Sequence, residues 1–431
     1  MSIHDTDKMS FLYSNTTQSA NSTNVNLKWY GISDINKHYN SGPILAVKKI
    51  VSVDDDVDPK VEHYSLYDIK TYQKFGLNIL ENASIVMHAC EDGNLEFLNW
   101  WLDSGLELKY DYQAINSASK NGHGDVLNWF LDSGLELKYD YRAINWASRN
   151  GYLDVLNWWL GSGLELKYNE WSMDWASEMG HLHILNWFLD SGLELKYSSD
   201  AINVACSNGH LQVLNWWLDS RLELKYDRRA IQYACVHGHL KVLNWFLGSG
   251  LKLIYDYRAI NWASKNGHIH ILNWWLGSGL ELKYTSHAIR WACANGHLDV
   301  LDWFLGSGLE LKYDCRAIRS ASRDGYLDIL NWWLKSRLQL QYDCSAIDST
   351  IKNNEVEAIE WWIQSGLPLK YTVCPIIWAS ENGNLSVLKA WHDAGLPFDS
   401  IEKAIALASE RNQIEVLNWW REMGFGSDPK N

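Results

Sequence analysis

The sequence predicts an all-α protein, a helix-turn-helix solenoid of about twelve 29-residue repeats with a degenerate N-terminal cap. Three observations predict it. First, a glycine recurs every 29 residues, at Gly93, Gly122, Gly151, Gly180, Gly209, Gly238, Gly267, Gly296 and Gly325. The next three steps fall on Asn354, Gly383 and Asn412, so twelve units keep register. Second, each unit carries two helical apolar patterns. Third, no proline interrupts the chain between Pro59 and Pro368, which leaves long stretches free to be helical. A fixed period of this length signals stacked supersecondary units, each too small to bury its own apolar face.

The third unit shows the elements in order. "RAINWASRN" (142–150) places Ala143, Ile144, Ala147 and Ser148 on one narrow helical face. Asn150 and Gly151 then break the helix, because both tolerate a left-handed backbone. "LDVLNWWLGS" forms the second helix, and Gly163 follows it, where helices commonly end in a left-handed residue. Ten of twelve units have glycine there; Arg221 and Arg337 stand in the other two. "LELKY" alternates Leu164, Leu166 and Tyr168, the period of an extended connector with one face inward. Before the array, Tyr64 lies one step ahead of Gly93, and Gly76 and Leu77 match Gly105 and Leu106. The expected division is a polar, largely disordered segment at 1–45, a degenerate capping unit at 46–80, the array at 81–424 and a polar tail at 425–431. "LKWYGISDINKHY" fits either a short motif or a packed cap.

The chain is 47% hydrophobic, enough for a real core, and its formal net charge of −14 argues against general affinity for nucleic acid or anionic membranes. No apolar run is long enough to span a bilayer, and the N-terminus lacks a signal-peptide pattern. Cysteines number seven, with no CxxC pair. Cys90, Cys206, Cys235 and Cys293 stand where other repeats have Ser or Ala and are expected as small, reduced core residues of an intracellular protein.

"AINWASRNGYLDVLNWWLGSGLELK" (143–167) resembles the ankyrin repeat, with Ile144, Ala147 and Gly151 at the signature leucine, alanine and glycine. The short period and Trp-rich second helix look most like the 29-residue ankyrin arrays of giant DNA viruses of amoebae. The signature Thr-Pro turn is missing, since Ala143 stands where proline would be, and Asn145, Asp174, Gln232 or Arg290 replaces the signature histidine. Those losses fall on the β-hairpin fingers, so full fingers are not expected. The resemblance implies a non-enzymatic interaction module with a concave groove lined by the first helices.

The 26 tryptophans raise a choice between core and exposed ladder. On a helical wheel Leu153, Val155, Leu156, Trp159 and Leu160 share one arc, with Trp158 at its edge. The Trp159 column alternates with phenylalanine (Phe130, Phe188, Phe246, Phe304). Close packing of large against smaller rings and duplication of a two-repeat block both account for that alternation. The indoles are expected mostly in the core; the alternative is an aromatic ladder for sugars or bases.

Six histidines recur in "GH" (His123, His181, His210, His239, His268, His297), one repeat apart except where Tyr152 intervenes. Zinc needs ligands converging on one ion, so a loop-bracing role is expected and no metal or other cofactor is implied. No P-loop, GxGxxG, nucleophile elbow or unique carboxylate pair appears, so no catalytic residue is assigned. The informative positions vary within a fixed frame: the first-helix sites of Arg142, Asn145, Trp146 and Arg149, which lie opposite the core on the wheel. In repeats six to nine these sites hold Arg229, Gln232, Tyr233 and Val236; Arg258, Asn261, Trp262 and Lys265; His287, Arg290, Trp291 and Ala294; and Arg316, Arg319, Ser320 and Arg323. That is seven cations and no acid in an acidic chain. The bland account is charge balance for acidic neighbours. The functional account makes Arg229, Tyr233, Arg258, Trp262, Lys265, Arg290, Trp291, Arg316, Arg319 and Arg323 a partner-binding face.

The expected function is therefore a monomeric scaffold in the host cytoplasm, binding a host or viral protein through an acidic segment. The alternative is a nucleic-acid groove made by the basic, aromatic inner face of repeats six to nine.

Overall fold

The computed structural model describes residues 9–13, 29–31, 44–49, 61–65, 70, 73, 84–107, 109–372 and 374–425. The chain divides into two compact units, Met1–Ala201 and Ile202–Asn431. Twenty-four helices among the described residues pair into twelve repeats. In the first unit the first helices are Ile85–Glu91, Tyr112–Lys120, Arg142–Asn150 and Trp171–Met179, and each packs on the next. In the second unit the same succession runs from Arg228–Val236 through Arg258–Lys265, Ser286–Ala294 and Cys315–Arg323 to Ile401–Glu410. In each unit the described helices form a stack of helix-turn-helix layers. No strand occurs in the connectors, so hairpin fingers do not form among the described residues.

Local chemistry sets the helix boundaries. The aspartate after "KY" caps the first helix: the Asp111 carboxylate accepts from Gln113 N at 2.8 Å, Asp227 from Arg229 N at 2.8 Å and Asp314 from Arg316 N at 2.9 Å. This cap replaces the missing Thr-Pro turn. Between the helices, Gly93 has φ +67°, and a Cβ there would sit 2.7 Å from the His123 ring of the next repeat. The site therefore demands glycine on both backbone and packing grounds. His123 Nε2 in turn meets the Glu91 carbonyl at 2.9 Å, His239 that of Ser207 at 2.9 Å and His268 that of Val236 at 3.0 Å. These histidines brace the neighbouring loop, as expected.

The Trp159 column is core. Trp159, Trp275, Phe130, Phe188, Phe246 and Phe304 are fully buried. A buried indole favours an acceptor, and for four of them the preceding repeat supplies one 40 residues upstream, whereas Trp101 and Trp391 donate to the Leu106 and Pro397 carbonyls and the buried Trp333 Nε1 has no hydrogen-bond partner among the described residues. Trp159 Nε1 donates to Ser119 Oγ (3.1 Å), Trp362 to Ser322 Oγ (3.1 Å), Trp420 to Ser380 Oγ (3.1 Å) and Trp275 to Cys235 Sγ (3.4 Å). Where the ring is Phe188 or Phe304, the corresponding Ser148 or Ser264 hydroxyl instead donates to its own helix, to the carbonyls of Ile144 and Ile260 at 2.8 Å. Cys90 and Cys206, which precede Phe130 and Phe246, are buried, and desolvation pushes their thiols well up. Serine and cysteine thus stand beneath both ring types along the core.

The Trp158 column is mostly half-buried, with Trp332 and Trp419 buried, and it is stitched to the preceding repeat. Trp158 Nε1 donates to Asn128 Oδ1 at 2.6 Å and Trp274 to Asn244 at 2.7 Å, each ring lying edge-on to its buried neighbour. The connectors are stitched too. Tyr139 donates its hydroxyl to the Glu165 carbonyl (3.0 Å), while Lys167 lies 4.6 Å over the Tyr139 ring. The "LELKY" connector is thereby held by its successor rather than by strand pairing.

The N-terminal region departs from expectation. Met9–Tyr13 (β1), Trp29–Gly31 (β2), Ile44–Lys49 (β3) and Val61–Ser65 (β4) form an antiparallel sheet in the order β2-β1-β3-β4. Phe11 pairs with Tyr30 and Val47, and Leu45 with Tyr64. Residues 1–45, expected to be largely disordered, therefore contain strands, and Tyr64 of the expected capping unit at 46–80 lies in a strand rather than a helix pair. The physical reason is local: "ILAVKK" and "VEHYS" are short apolar and alternating runs separated by an Asp-rich stretch ending at Pro59, which a helix does not tolerate. Gly76 and Leu77, and the tail beyond Phe425, lie outside the described residues.

Candidate protein-interaction face

Four columns make up the first-helix sites that were expected to face away from the core, and the Asn145 column differs from the others. Asn145 and Asn261 are fully buried, contrary to the expectation that they face outward. Each reaches the turn that starts the next first helix. Asn261 accepts from Thr285 N (3.1 Å) and donates to Thr285 Oγ1 (2.8 Å). Asp174 accepts from Ser198 N (3.0 Å) and Ser198 Oγ (2.5 Å), and Asp348 from Thr372 N (3.0 Å) and Oγ1 (3.0 Å). This column pegs one repeat to the next. A wheel drawn for one helix misses it, because burial here comes from the next repeat's turn.

Arg290 and Arg319 occupy that same column in repeats eight and nine. Both are half-buried. Neither forms a hydrogen bond or ion pair among the described residues. Burial lowers the Arg290 pKa, and the nearby Arg316, Arg319 and Arg323 guanidinia lower it further, against the pull of Asp314.

The Arg142 and Arg149 columns hold most of the other predicted cations, exposed or half-buried, but acids engage them. Arg229 meets Asp227 at 2.8 Å, Arg258 meets Asp256 at 3.3 Å, Arg316 meets Asp314 at 4.0 Å and Arg323 meets Asp324 at 2.6 Å. Burial alone would raise the Asp227 pKa, but the hydrogen bonds from Arg229 outweigh it and lower it. The seven-cation face without acids is thereby corrected: the balancing carboxylates sit at the helix caps, two residues before Arg229, Arg258 and Arg316, just outside the face itself. Such exposed pairs contribute little to stability, about 0–1 kcal/mol each.

The aromatics of the face also have partners. Trp262 and Trp291 pack at 5.2 Å across repeats seven and eight, and Lys265 lies 4.4 Å over the Trp262 ring. His287 stands edge-on to Trp291 at 5.1 Å. Tyr233 is half-buried. The predicted residues therefore divide: Arg290, Arg316, Arg319 and Arg323 gather on two adjoining helices, whereas Arg229 and Arg258 are each tied to a cap.

The first unit carries an aromatic run that the sequence reading only touched at Trp146. Trp146 packs on Trp175 (5.0 Å), Trp175 stacks on Trp171 (5.3 Å), and Arg149 lies 5.1 Å over Trp146 while reaching Glu178 at 3.7 Å. The 29-residue step from Trp146 to Trp175 was the available signal. No group of three or more metal-ligating side chains occurs among the described residues, and no described helix is long and apolar enough to cross a membrane.

The family model for ankyrin repeats (many copies) matches residues 86–131, 202–247 and 260–305. Among solved structures, the chain is similar to the ankyrin repeat domain of human ASB11, at 16% identity and a TM-score of 0.36, covering 44% of this chain and 96% of that one. No curated protein matches the chain.

Proposed function

We propose, from the premise that the chain carries ankyrin repeats, that it is a protein-interaction scaffold whose first-helix face in repeats eight and nine receives an acidic segment of a partner protein. Ankyrin repeats are in general interaction modules rather than catalysts. The observation that carries the finer reading is Arg290 and Arg319: two half-buried guanidinia without an ion pair, in a chain of net charge −14. Arginine binds carboxylates bidentately, and Trp291 on the Arg290 helix provides an apolar anchor. The short-period, Trp-rich array is similar to those of giant viruses of amoebae, so the partner is a host or viral protein inside the infected cell. Nucleic acid fits less well, because the chain is acidic overall.

Titration of the full chain with a labelled Glu-rich peptide tests this, followed by fluorescence anisotropy. Binding is expected to weaken as salt rises and to disappear in the Arg290→Glu, Arg319→Glu double variant. Binding unaffected by the double reversal contradicts the assignment. Tighter binding of single-stranded nucleic acid than of the peptide favours the groove alternative.

A further inference from the structure

We propose that Arg290, Arg316, Arg319 and Arg323 form a phosphate-binding site, so that the segment received there is a phosphorylated serine or threonine peptide. This rests on the reading of repeats eight and nine as an acidic-segment site and narrows its chemistry.

Spacing comes first. Arg316, Arg319 and Arg323 stand at i, i+3 and i+7 on Cys315–Arg323, which places them along one face. Arg290 comes from Ser286–Ala294, which packs directly on that helix. Donors then accumulate where other repeats place acceptors. The peg column elsewhere offers an Asn or Asp oxygen to a backbone N–H of the next turn, as Asn261 does for Thr285 and Asp348 for Thr372. An arginine has no acceptor to offer. The corresponding N–H groups of Asp314 and Asp343 consequently have no hydrogen bond among the described residues.

Acceptor number favours phosphate over carboxylate. Asp324 holds Arg323 at 2.6 Å and Asp314 lies 4.0 Å from Arg316. Asp343 is engaged by the Ser345 amide and hydroxyl. Arg290 and Arg319 form no ion pair among the described residues, although Asp314 and Asp343 attract them at longer range. A carboxylate brings a single charge and two oxygens. A phosphomonoester brings about −1.5 to −2 charge and three acceptor oxygens, which suit two planar guanidinium forks. Like-charge pressure on Arg290 from its three neighbours is the tension such a dianion relieves.

The test uses the full chain and a degenerate peptide library with a fixed central phosphothreonine, alongside the same library with threonine or glutamate at that place. The phosphothreonine library is expected to bind on the order of tenfold more tightly than the glutamate library, with inorganic phosphate competing. Arg290→Asn with Arg319→Asn restores the peg found at Asn261, so this variant keeps its fold by circular dichroism while losing the phosphate preference. Equal affinity for phosphothreonine and glutamate overturns the phosphate site and leaves the acidic-segment reading standing. Failure of both libraries to bind overturns both.

Discussion

The Trp159 indole donates to the Ser119 hydroxyl at 3.1 Å from one repeat to the previous, with both side chains fully buried. An unpaired donor in that position costs the desolvation of the N–H, about 1–3 kcal/mol. Ser119→Ala should therefore destabilise the array by roughly that amount, read from the urea midpoint. In the Trp159→Phe background the same serine substitution should cost less than about 0.5 kcal/mol, because no donor remains and the arrangement matches Phe188 over Ser148. A serine cost that is equal in both backgrounds removes the coupling between ring and acceptor.

Arg221 and Arg337 adopt φ of 59° and 61°, the left-handed conformation taken by Gly163 at the same place in its repeat. A side chain there costs about 1 kcal/mol relative to glycine. Arg221→Gly and Arg337→Gly should each raise the thermal midpoint by a few degrees. A drop in both variants means that the arginine side chains contribute more than the backbone strain takes away.

Asp174 carries the pH prediction. Burial pushes its pKa up to about 6, despite lowering by the hydrogen bonds from Ser198 Oγ and N. Between about pH 4 and 6 the native state holds a proton that the unfolded chain has released, so stability falls as pH rises through that window and stays lower above it. The loss is on the order of 2–3 kcal/mol at most. Asp174→Asn should copy the Asn261–Thr285 pair, stabilise the protein at pH 7.5 and flatten its pH dependence between 4 and 6. Destabilisation at pH 7.5 with the slope unchanged excludes a buried, penalised carboxylate.

The repeat frame was legible because each column keeps one kind of residue: the loop glycines, the capping glycines and the aromatic Trp159 column each report a backbone or packing requirement met within one or two neighbouring repeats. The site was less legible. Arg229 and Arg258 looked free on a helical wheel, yet their carboxylates Asp227 and Asp256 sit at caps that the wheel leaves out. Asn145 looked exposed because its burial is made by Ser172 and Asn169 of the following repeat. In a stacked array the outward face of one helix is defined by its neighbour, and a pattern read within one repeat cannot contain that. The N-terminal sheet was missed for a related reason: its pairing joins segments as far apart as Met9 and Lys49, and no period marks them.

The central claim is that cations without an ion pair, rather than basic character in general, make the interaction face. The measurement that tests it most directly compares two charge-reversed chains in quantitative capture of partners from host-cell extract. One carries Arg290→Glu and Arg319→Glu; the other carries Arg142→Glu and Arg229→Glu, whose arginines are held by Asp140 and Asp227 at 2.9 and 2.8 Å. Circular dichroism and melting establish that both variants fold. The account predicts that the first chain loses the partner captured by the wild-type chain and the second retains it. Retention by the first chain, or equal loss from both, contradicts it.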